Sequence, residues 1–163
     1  MSRILVLAWG NPSRGDDALG PSFAERAEAL LSNVPHTVEI ETDFQLSPEH
    51  ATDLLGRDAV LFVDASLTAR PPFGFDRVVP ARDRTWSSHA MSPAALLAAC
   101  ESAFGRPAPA AFVLALRGER FDLGTPMTAR AHRHLDAALE FFRRLLAVTS
   151  TDAWADIVAT ASP

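Results

Sequence analysis

The sequence contains no lysine, since all 15 of its basic residues are arginine. The absence of lysine excludes a Schiff-base lysine, a lysine nucleophile and the phosphate-binding lysine of a P-loop. Cys100 is the only cysteine, so one chain cannot form an internal disulfide, an iron–sulfur cluster or a zinc finger. A lone cysteine fits a reducing compartment, and we therefore expect a cytoplasmic protein.

Basic charge and long apolar runs are also scarce. The 15 basic and 20 acidic residues give a formal net charge of −5, and no basic stretch is long enough to follow a phosphate backbone. No run approaches the ~20 apolar residues that cross a bilayer, and the apolar run at the N-terminus is too short for a signal peptide. We therefore expect a soluble protein that binds neither nucleic acid nor membranes.

The sequence does contain an alternation of apolar strands and amphipathic helices. Its 163 residues, of which 48% are hydrophobic, suffice for one domain with its own core. The predicted strands cover residues 4–8, 37–42, 59–63, 75–79 and 111–116, and the predicted helices cover residues 23–31, 48–55, 93–104 and 127–148. Strands separated by helices of this length indicate a parallel sheet. We predict a single α/β domain over residues 1–148, with a twisted, mostly parallel sheet and helices on both faces, followed by a tail over residues 149–163.

Polar residues at three places beyond predicted strands are the candidates for a functional site. Asp16 and Asp17 follow the first strand, while Asp64 ends the third strand and His89 lies in the irregular segment after it. Residues beyond the carboxyl ends of strands in an open α/β sheet face the ligand crevice. Two carboxylates and one imidazole suit a divalent metal such as zinc or nickel, with open positions for water or substrate. Such a site lowers the pKa of bound water toward ~7, as hydrolysis without a covalent intermediate requires.

Each candidate also has an ordinary structural explanation, and the residues alone do not decide between that explanation and a functional role. Asp64 is typical of a strand-end turn, and His89 of an exposed or hydrogen-bonded loop position. Either Asp16 or Asp17 favours the positive end of the helix that follows.

Other chemistries fit the sequence less well. Gly10, Gly15 and Gly20 are five residues apart, which matches neither the dinucleotide fingerprint nor a P-loop. No Gly-x-Ser-x-Gly elbow is present to expose a serine nucleophile. Cys100 lies on the apolar side of a predicted helix and is interpreted as a core residue.

Several of these segments together resemble one known family, the endopeptidases that mature nickel–iron hydrogenases by removing the C-terminal extension of the large subunit. Residues 10–20, Gly-Asn-Pro-Ser-Arg-Gly-Asp-Asp-Ala-Leu-Gly, resemble the family's Gly-Asn-x(4)-Asp-(Asp/Glu)-x-x-Gly element. The strand ending in Asp64-Ala65, the Ser88-His89 pair and residues 116–128 resemble three further elements. The likeness spans roughly residues 3–147, in the family's order and spacing.

The resemblance implies specific roles for three residues. Asp17, Asp64 and His89 match the positions that contact the metal and carry out catalysis in the family. The metal is then the nickel already installed in the immature large subunit, and no tightly bound cofactor of the peptidase's own is expected. Cleavage would depend on that nickel, which makes the peptidase a checkpoint. In the family, the cut falls beyond a basic residue shortly after the last metal-binding cysteine motif.

Two departures from the family pattern affect the assignment. Many relatives have glutamate at the position of Asp17, so the ligand arm is one methylene shorter here. Many enzymes for membrane hydrogenases have Asp-Gly-Gly-Thr after the second strand, whereas residues 43–50 read Asp-Phe-Gln-Leu-Ser-Pro-Glu-His. This variant resembles the branch that serves soluble, NAD-linked or bidirectional hydrogenases. Gln45 and Glu49 are then candidates for substrate recognition, and Asp16 for supporting the metal ligands or capping a helix.

The resemblance therefore predicts a cytoplasmic, monomeric endopeptidase whose partner is the hydrogenase large-subunit precursor. Two other functions are compatible with the same residues. One is a metal-dependent chaperone that holds the large subunit without cutting it, and the other is a small metal-independent hydrolase that uses the same crevice.

Overall fold

The computed structural model describes residues 1–82 and 91–161, and within these ranges the chain forms one five-stranded sheet. Its strands are β1 (Arg3–Trp9), β2 (Thr37–Asp43), β3 (Ala59–Ser66), β4 (Phe73–Val78) and β5 (Ala110–Arg117). Their order across the sheet is β2-β1-β3-β5-β4. All neighbours pair in parallel except β4, which runs antiparallel to β5 at one edge. The predicted α/β fold with a mostly parallel sheet is confirmed.

Helices connect the strands and cover the sheet. The α-helices are α1 (Leu19–Ala27), α2 (Pro93–Phe104), α3 (Ala129–Ala147) and α4 (Asp152–Ala161), and the 3₁₀ helices span Gly15–Ala18, Glu28–Leu30 and Pro48–Leu54. Ser92 and Thr128 cap α2 and α3, since each side chain accepts a hydrogen bond from a backbone N–H three residues later. In the part of the chain that the structure describes, no helix has both the length and the apolarity to span a membrane.

The sheet is buried on both faces, as its continuous aliphatic strands predict. Along β1, Ile4, Val6 and Ala8 point to one face and Leu5 and Leu7 to the other. The first face packs against apolar residues of α1 and α3, and the second against residues of the Pro48–Leu54 helix and α2. Two cores on opposite sides of one sheet hold β1 and β3 rigidly in its centre.

The order of the strands also determines where a ligand can bind. The chain leaves β1 toward β2 on one side and later returns to build β3 on the other side. Connections that depart in opposite directions open a crevice at the carboxyl ends of the two strands, and ligands of open α/β sheets bind in such crevices. In this protein the strand order therefore predicts the crevice between the carboxyl ends of β1 and β3.

The C-terminal segment packs against the domain. Residues 149–163 were predicted as a tail, and the structure places α4 within them. Trp154 of α4 is fully buried, and its indole Nε1–H donates to the carbonyl of Leu145 at 3.2 Å. Its ring also meets Phe112 of β5 edge-on, with the ring centroids 5.5 Å apart. The helix therefore contributes a large apolar side chain to the core on the α1–α3 face.

Trp154→Ala should lower the free energy of unfolding by about 3–5 kcal/mol, because it removes a buried indole and leaves a cavity. Urea denaturation followed by circular dichroism measures this difference. Leu123→Ala is the control, since Leu123 is exposed and its loss should change the free energy of unfolding by less than about 0.5 kcal/mol. Equal stabilities of the two variants would contradict the packing of α4.

Candidate active site

Asp17 lies in the loop that connects β1 to α1, within the 3₁₀ helix Gly15–Ala18. Its carboxylate Oδ2 accepts a hydrogen bond of 2.7 Å from the backbone N–H of Asn11. Gly10 makes this approach possible. A Cβ on Gly10 would lie 2.1 Å from the Asp17 carbonyl oxygen, and the φ of Gly10 is +148°. The glycine therefore lets the loop fold back so that the Asp17 side chain lies beside the end of β1.

Asp64 is near the carboxyl end of β3 and is partly buried. The pKa of its carboxyl group is raised to about 7, mainly by burial and to a lesser degree by the negative charge of Asp17. A hydrogen bond from the Ala65 backbone acts in the opposite direction and lowers the pKa. Asn11, which binds the Asp17 carboxylate, follows the end of β1, and Ala8 of β1 pairs with Val63, the residue before Asp64. The structure thus places two of the three predicted residues at the same edge of the sheet, where the charge of Asp17 acts on Asp64.

The pair of carboxyl groups is electrostatically unfavourable when both are ionised. Desolvation and like-charge repulsion act in the same direction, and both favour the protonated form of Asp64. A divalent cation bound between the two groups would offset both effects, since it supplies positive charge where water has been removed. The pair of carboxyl groups therefore suits a site for a cation, and Asp64 favours its protonated form when no cation is bound.

The third predicted residue, His89, lies in residues 83–90, outside the described residues. Its position relative to Asp17 and Asp64 stays a prediction. Within residues 1–82 and 91–161, no group of three histidine, cysteine, aspartate or glutamate side chains is arranged to hold a metal ion. A three-ligand site at this crevice therefore requires a ligand from the segment that contains His89 or from a bound substrate.

Asp16 points away from the crevice and is fully buried. Its carboxylate accepts hydrogen bonds from the backbone N–H groups of Glu119, Arg120 and Thr128 and from the Thr128 hydroxyl. Adjacent residues thus have opposite environments, since Asp17 faces the crevice and Asp16 binds the loop between β5 and α3. Asp16 interacts with the beginning of α3 and not with the helix that follows it in sequence.

A shallow groove of about 280 Å³ lies beside Asp17. Its lining residues are Gly10, Pro12, Pro21, Thr42, Asp43 and Phe44. Phe44 is 69% exposed, which is unusual for a phenylalanine next to a candidate active site. Gln45 follows Phe44 and Glu49 lies one turn later, and both of these candidates for substrate recognition are exposed. They extend from the groove along the turn that follows β2.

His50 holds this turn in place, although the sequence did not mark it as a candidate residue. Its ring Nδ1 accepts a hydrogen bond of 2.9 Å from the Ser47 backbone N–H, and its Nε2 lies 3.3 Å from a carboxylate oxygen of Asp43. Only 9% of His50 is exposed. The Ser-x-x-His spacing after β2 equals the spacing of a capping box, and this signal could have identified the contact from the sequence.

The pKa of Asp64 predicts a pH dependence of stability. The folded-state pKa of about 7 lies above the ordinary value of 3.8, so the folded protein retains a proton that the unfolded chain has lost. The stabilisation that comes from this retained proton is complete below pH ~4, decreases as the pH rises toward ~7 and is absent at higher pH. One pKa unit corresponds to ~1.4 kcal/mol, so Asp64→Asn should be more stable than wild type at pH 8 by up to about 4 kcal/mol.

Urea unfolding of both proteins between pH 4 and 8 measures this difference, and carboxyl carbon NMR of the wild type gives the pKa of Asp64 directly. In the Asp17→Asn variant the pKa of Asp64 should fall, because the neighbouring charge is removed. An Asp64 that titrates near pH 4 in the wild type would contradict the desolvated, paired arrangement.

Comparisons with known proteins agree with this architecture. Neither a family model nor a curated protein matches the sequence. Among solved structures, the NiFe hydrogenase maturation protease HycI of Thermococcus kodakarensis is 19% identical, with a TM-score of 0.68 over 89% of this chain and 92% of that one. The hydrogenase maturating endopeptidase HybD of Escherichia coli is 24% identical, with a TM-score of 0.66 over 86% and 89%. An endopeptidase of E. coli is 26% identical, with a TM-score of 0.65 over the same shares. The chain therefore has the fold of the NiFe hydrogenase maturation proteases.

Proposed function

We propose that the protein is an endopeptidase that removes the C-terminal extension of the large-subunit precursor of a nickel–iron hydrogenase. The observation that carries this proposal is the pairing of Asp17 and Asp64 at the β1–β3 crevice of a fold shared with hydrogenase maturation proteases. The order of the sequence elements between residues 3 and 147 supports the same function.

In this proposal, Asp17, Asp64 and His89 contact the nickel that the precursor already carries. Two hard carboxylates and one imidazole form an open site of moderate affinity, which suits a metal that keeps cysteine ligands from the precursor. The metal therefore belongs to the substrate, and its charge favours ionisation of both carboxyl groups. Without nickel, the pKa of Asp64 is about 7, so about half of the molecules keep this proton at neutral pH and binding of the metal releases it.

The turn after β2 supports a more specific assignment. Residues 43–50 lack the glycines that many enzymes for membrane hydrogenases have there, and His50 instead holds the turn through Ser47 and Asp43. We therefore propose a precursor from a soluble, NAD-linked or bidirectional hydrogenase, with Gln45 and Glu49 in its recognition. The peptidase would act in the cytoplasm as a monomer.

The checkpoint is tested by mixing the purified protein with nickel-loaded and nickel-free precursor and following release of the C-terminal peptide by mass spectrometry. We expect cleavage of the loaded precursor only. Asp17→Asn, Asp64→Asn and His89→Ala should each reduce the rate at least ~100-fold, since each removes a charged or coordinating group at the reacting centre. Equal cleavage of both precursors would contradict recognition of nickel.

Matched controls separate loss of the site from loss of a surface group. Asp152→Asn and His132→Ala replace exposed residues on α4 and α3, and both should cleave at the wild-type rate. A wild-type protein that binds the loaded precursor but never releases a peptide would favour the chaperone. Hydrolysis of a small ester in the presence of a chelator would favour the metal-independent hydrolase.

The groove beside Asp17 offers a place for the precursor segment that leads to the cut bond, because Gly10 both lines the groove and contacts Asp17. Phe44→Ser should raise KM by about 5- to 30-fold with little change in kcat, since covering a phenyl ring contributes ~1–2 kcal/mol to binding. Val79→Ser is the control, because Val79 is 62% exposed and lies near the amino end of β5, at the other end of the strands from the groove. Equal KM values for the two variants would exclude the groove from substrate binding.

A further inference from the structure

Two loops that are distant in sequence form one hydrogen-bonded unit beside the candidate site. We call this unit the two-loop clamp, and it consists of residues 13–17 and residues 118–128. Three backbone hydrogen bonds join the loops directly, from Gly15 N–H to the Thr125 carbonyl, from Asp16 N–H to the Arg120 carbonyl, and from Gly124 N–H to the Ser13 carbonyl. Their lengths are 3.0, 2.7 and 2.7 Å.

The carboxylate of Asp16 is the centre of the clamp. Its Oδ2 accepts from the N–H groups of Glu119 and Arg120 at 2.8 and 3.2 Å and from the Thr128 hydroxyl at 3.0 Å. Its Oδ1 accepts from the Thr128 N–H at 2.7 Å. The group is 0% exposed, so these four donors replace all of its water.

The surroundings of Asp16 favour a carboxylate over any neutral side chain. Thr128 is the N-cap of α3, whose 19 residues direct the positive end of the helix dipole toward Asp16. An amide at this position would turn an NH₂ group toward backbone N–H groups, which cannot accept a hydrogen bond. The negative charge thus has a defined structural purpose, although no cationic side chain among residues 1–82 and 91–161 forms an ion pair with it.

From this geometry we infer that Asp16 is a positioning residue, which holds the adjacent Asp17 at the crevice through the two-loop clamp. Asp16 and Asp17 are consecutive in one short 3₁₀ helix, so displacement of one peptide unit moves the other. The loop after β5 therefore affects the reaction through the position of Asp17. This inference rests on the proposed function, because Asp17 matters to catalysis only if the protein cuts its precursor at this site.

The clamp is tested with variants of Thr128, since Asp16→Asn also threatens the fold. Thr128→Val removes the hydroxyl, which donates to Asp16 and also accepts from the Ala131 N–H at the start of α3, while Thr128→Ser keeps both hydrogen bonds. We expect Thr128→Val to lower kcat for cleavage of the nickel-loaded precursor about 10-fold with KM within about twofold, since a small displacement of a reacting group slows the chemical step. Thr128→Ser should recover wild-type kcat.

A second readout does not depend on peptidase activity. The N–H of Asn11 donates to Asp17, so its hydrogen exchange reports the position of that carboxylate. Thr128→Val should accelerate exchange of the Asn11 amide about 10-fold, while amides in the middle of β1 change less than about threefold. Trp154→Phe is the control for stability, because it removes a buried hydrogen bond at Leu145, far along α3 from the clamp, and it should alter neither kcat nor the Asn11 amide.

The outcomes separate this inference from the proposed function. If wild type cleaves the precursor but Thr128→Val matches Trp154→Phe in kcat and in Asn11 exchange, Asp16 is a structural residue only and the inference is wrong. If wild type cleaves no precursor while Asn11 exchange still responds to Thr128→Val and recovers in Thr128→Ser, the proposed function fails and Asp16 still positions Asp17.

Discussion

The parallel pairing of β1 with β3 is the constraint on which the candidate site depends. The register aligns Ile4 with Ala59 and Ala8 with Val63, so the two strands end at the same edge of the sheet. Both strands lie between two apolar cores, which leaves them no freedom to slide because a slip of one residue would turn every side chain to the other face. Asp17 and Asp64 are brought together by this register although 46 residues separate them in sequence.

Placing two carboxyl groups in a partly desolvated crevice costs stability. The protein tolerates this cost because Asp64 retains its proton up to a pKa of about 7. Groups whose pKa is strongly shifted by burial and by a neighbouring charge cluster at functional sites, since a core that served stability alone would have apolar residues there. The cost is local, and the apolar residues of both faces offset it. The site thus requires charged groups, and the core requires apolar residues, within a few positions of the same strands.

The crevice differs from its supporting structure in a second respect. The sheet is stabilised mainly by apolar burial, whereas the loops that carry Asp17 are held by hydrogen bonds to backbone groups and to one buried carboxylate. Hydrogen bonds are directional, so they specify the position of a loop more narrowly than apolar contact does. Asp16 and Asp17 have different roles, since Asp16 binds the loop after β5 and Asp17 is turned toward the crevice. The same division occurs after β2, where His50 holds the turn that presents exposed Phe44 and Gln45.

The sequence by itself determined the α/β class, the mostly parallel sheet and the ends of most elements, because aliphatic runs, capping serines and prolines are local signals. The predicted strand 59–63 lies within β3, and the predicted helix 127–148 contains α3. Local signals also selected Asp64 and the Asp16–Asp17 pair, since polar residues stood out after apolar strands, and the family resemblance assigned the ligand role to Asp17.

Only the tertiary structure decided what those residues contact. It showed that the charge of Asp17 helps to raise the pKa of Asp64. It also showed that Asp16 binds residues more than 100 positions away and that Trp154 belongs to the core. The segment 48–55, predicted as a helix, takes the 3₁₀ form over Pro48–Leu54, where His50 contacts Ser47. Such contacts join segments that are remote along the chain, and their partners depend on strand order and register, which no single segment of the sequence encodes.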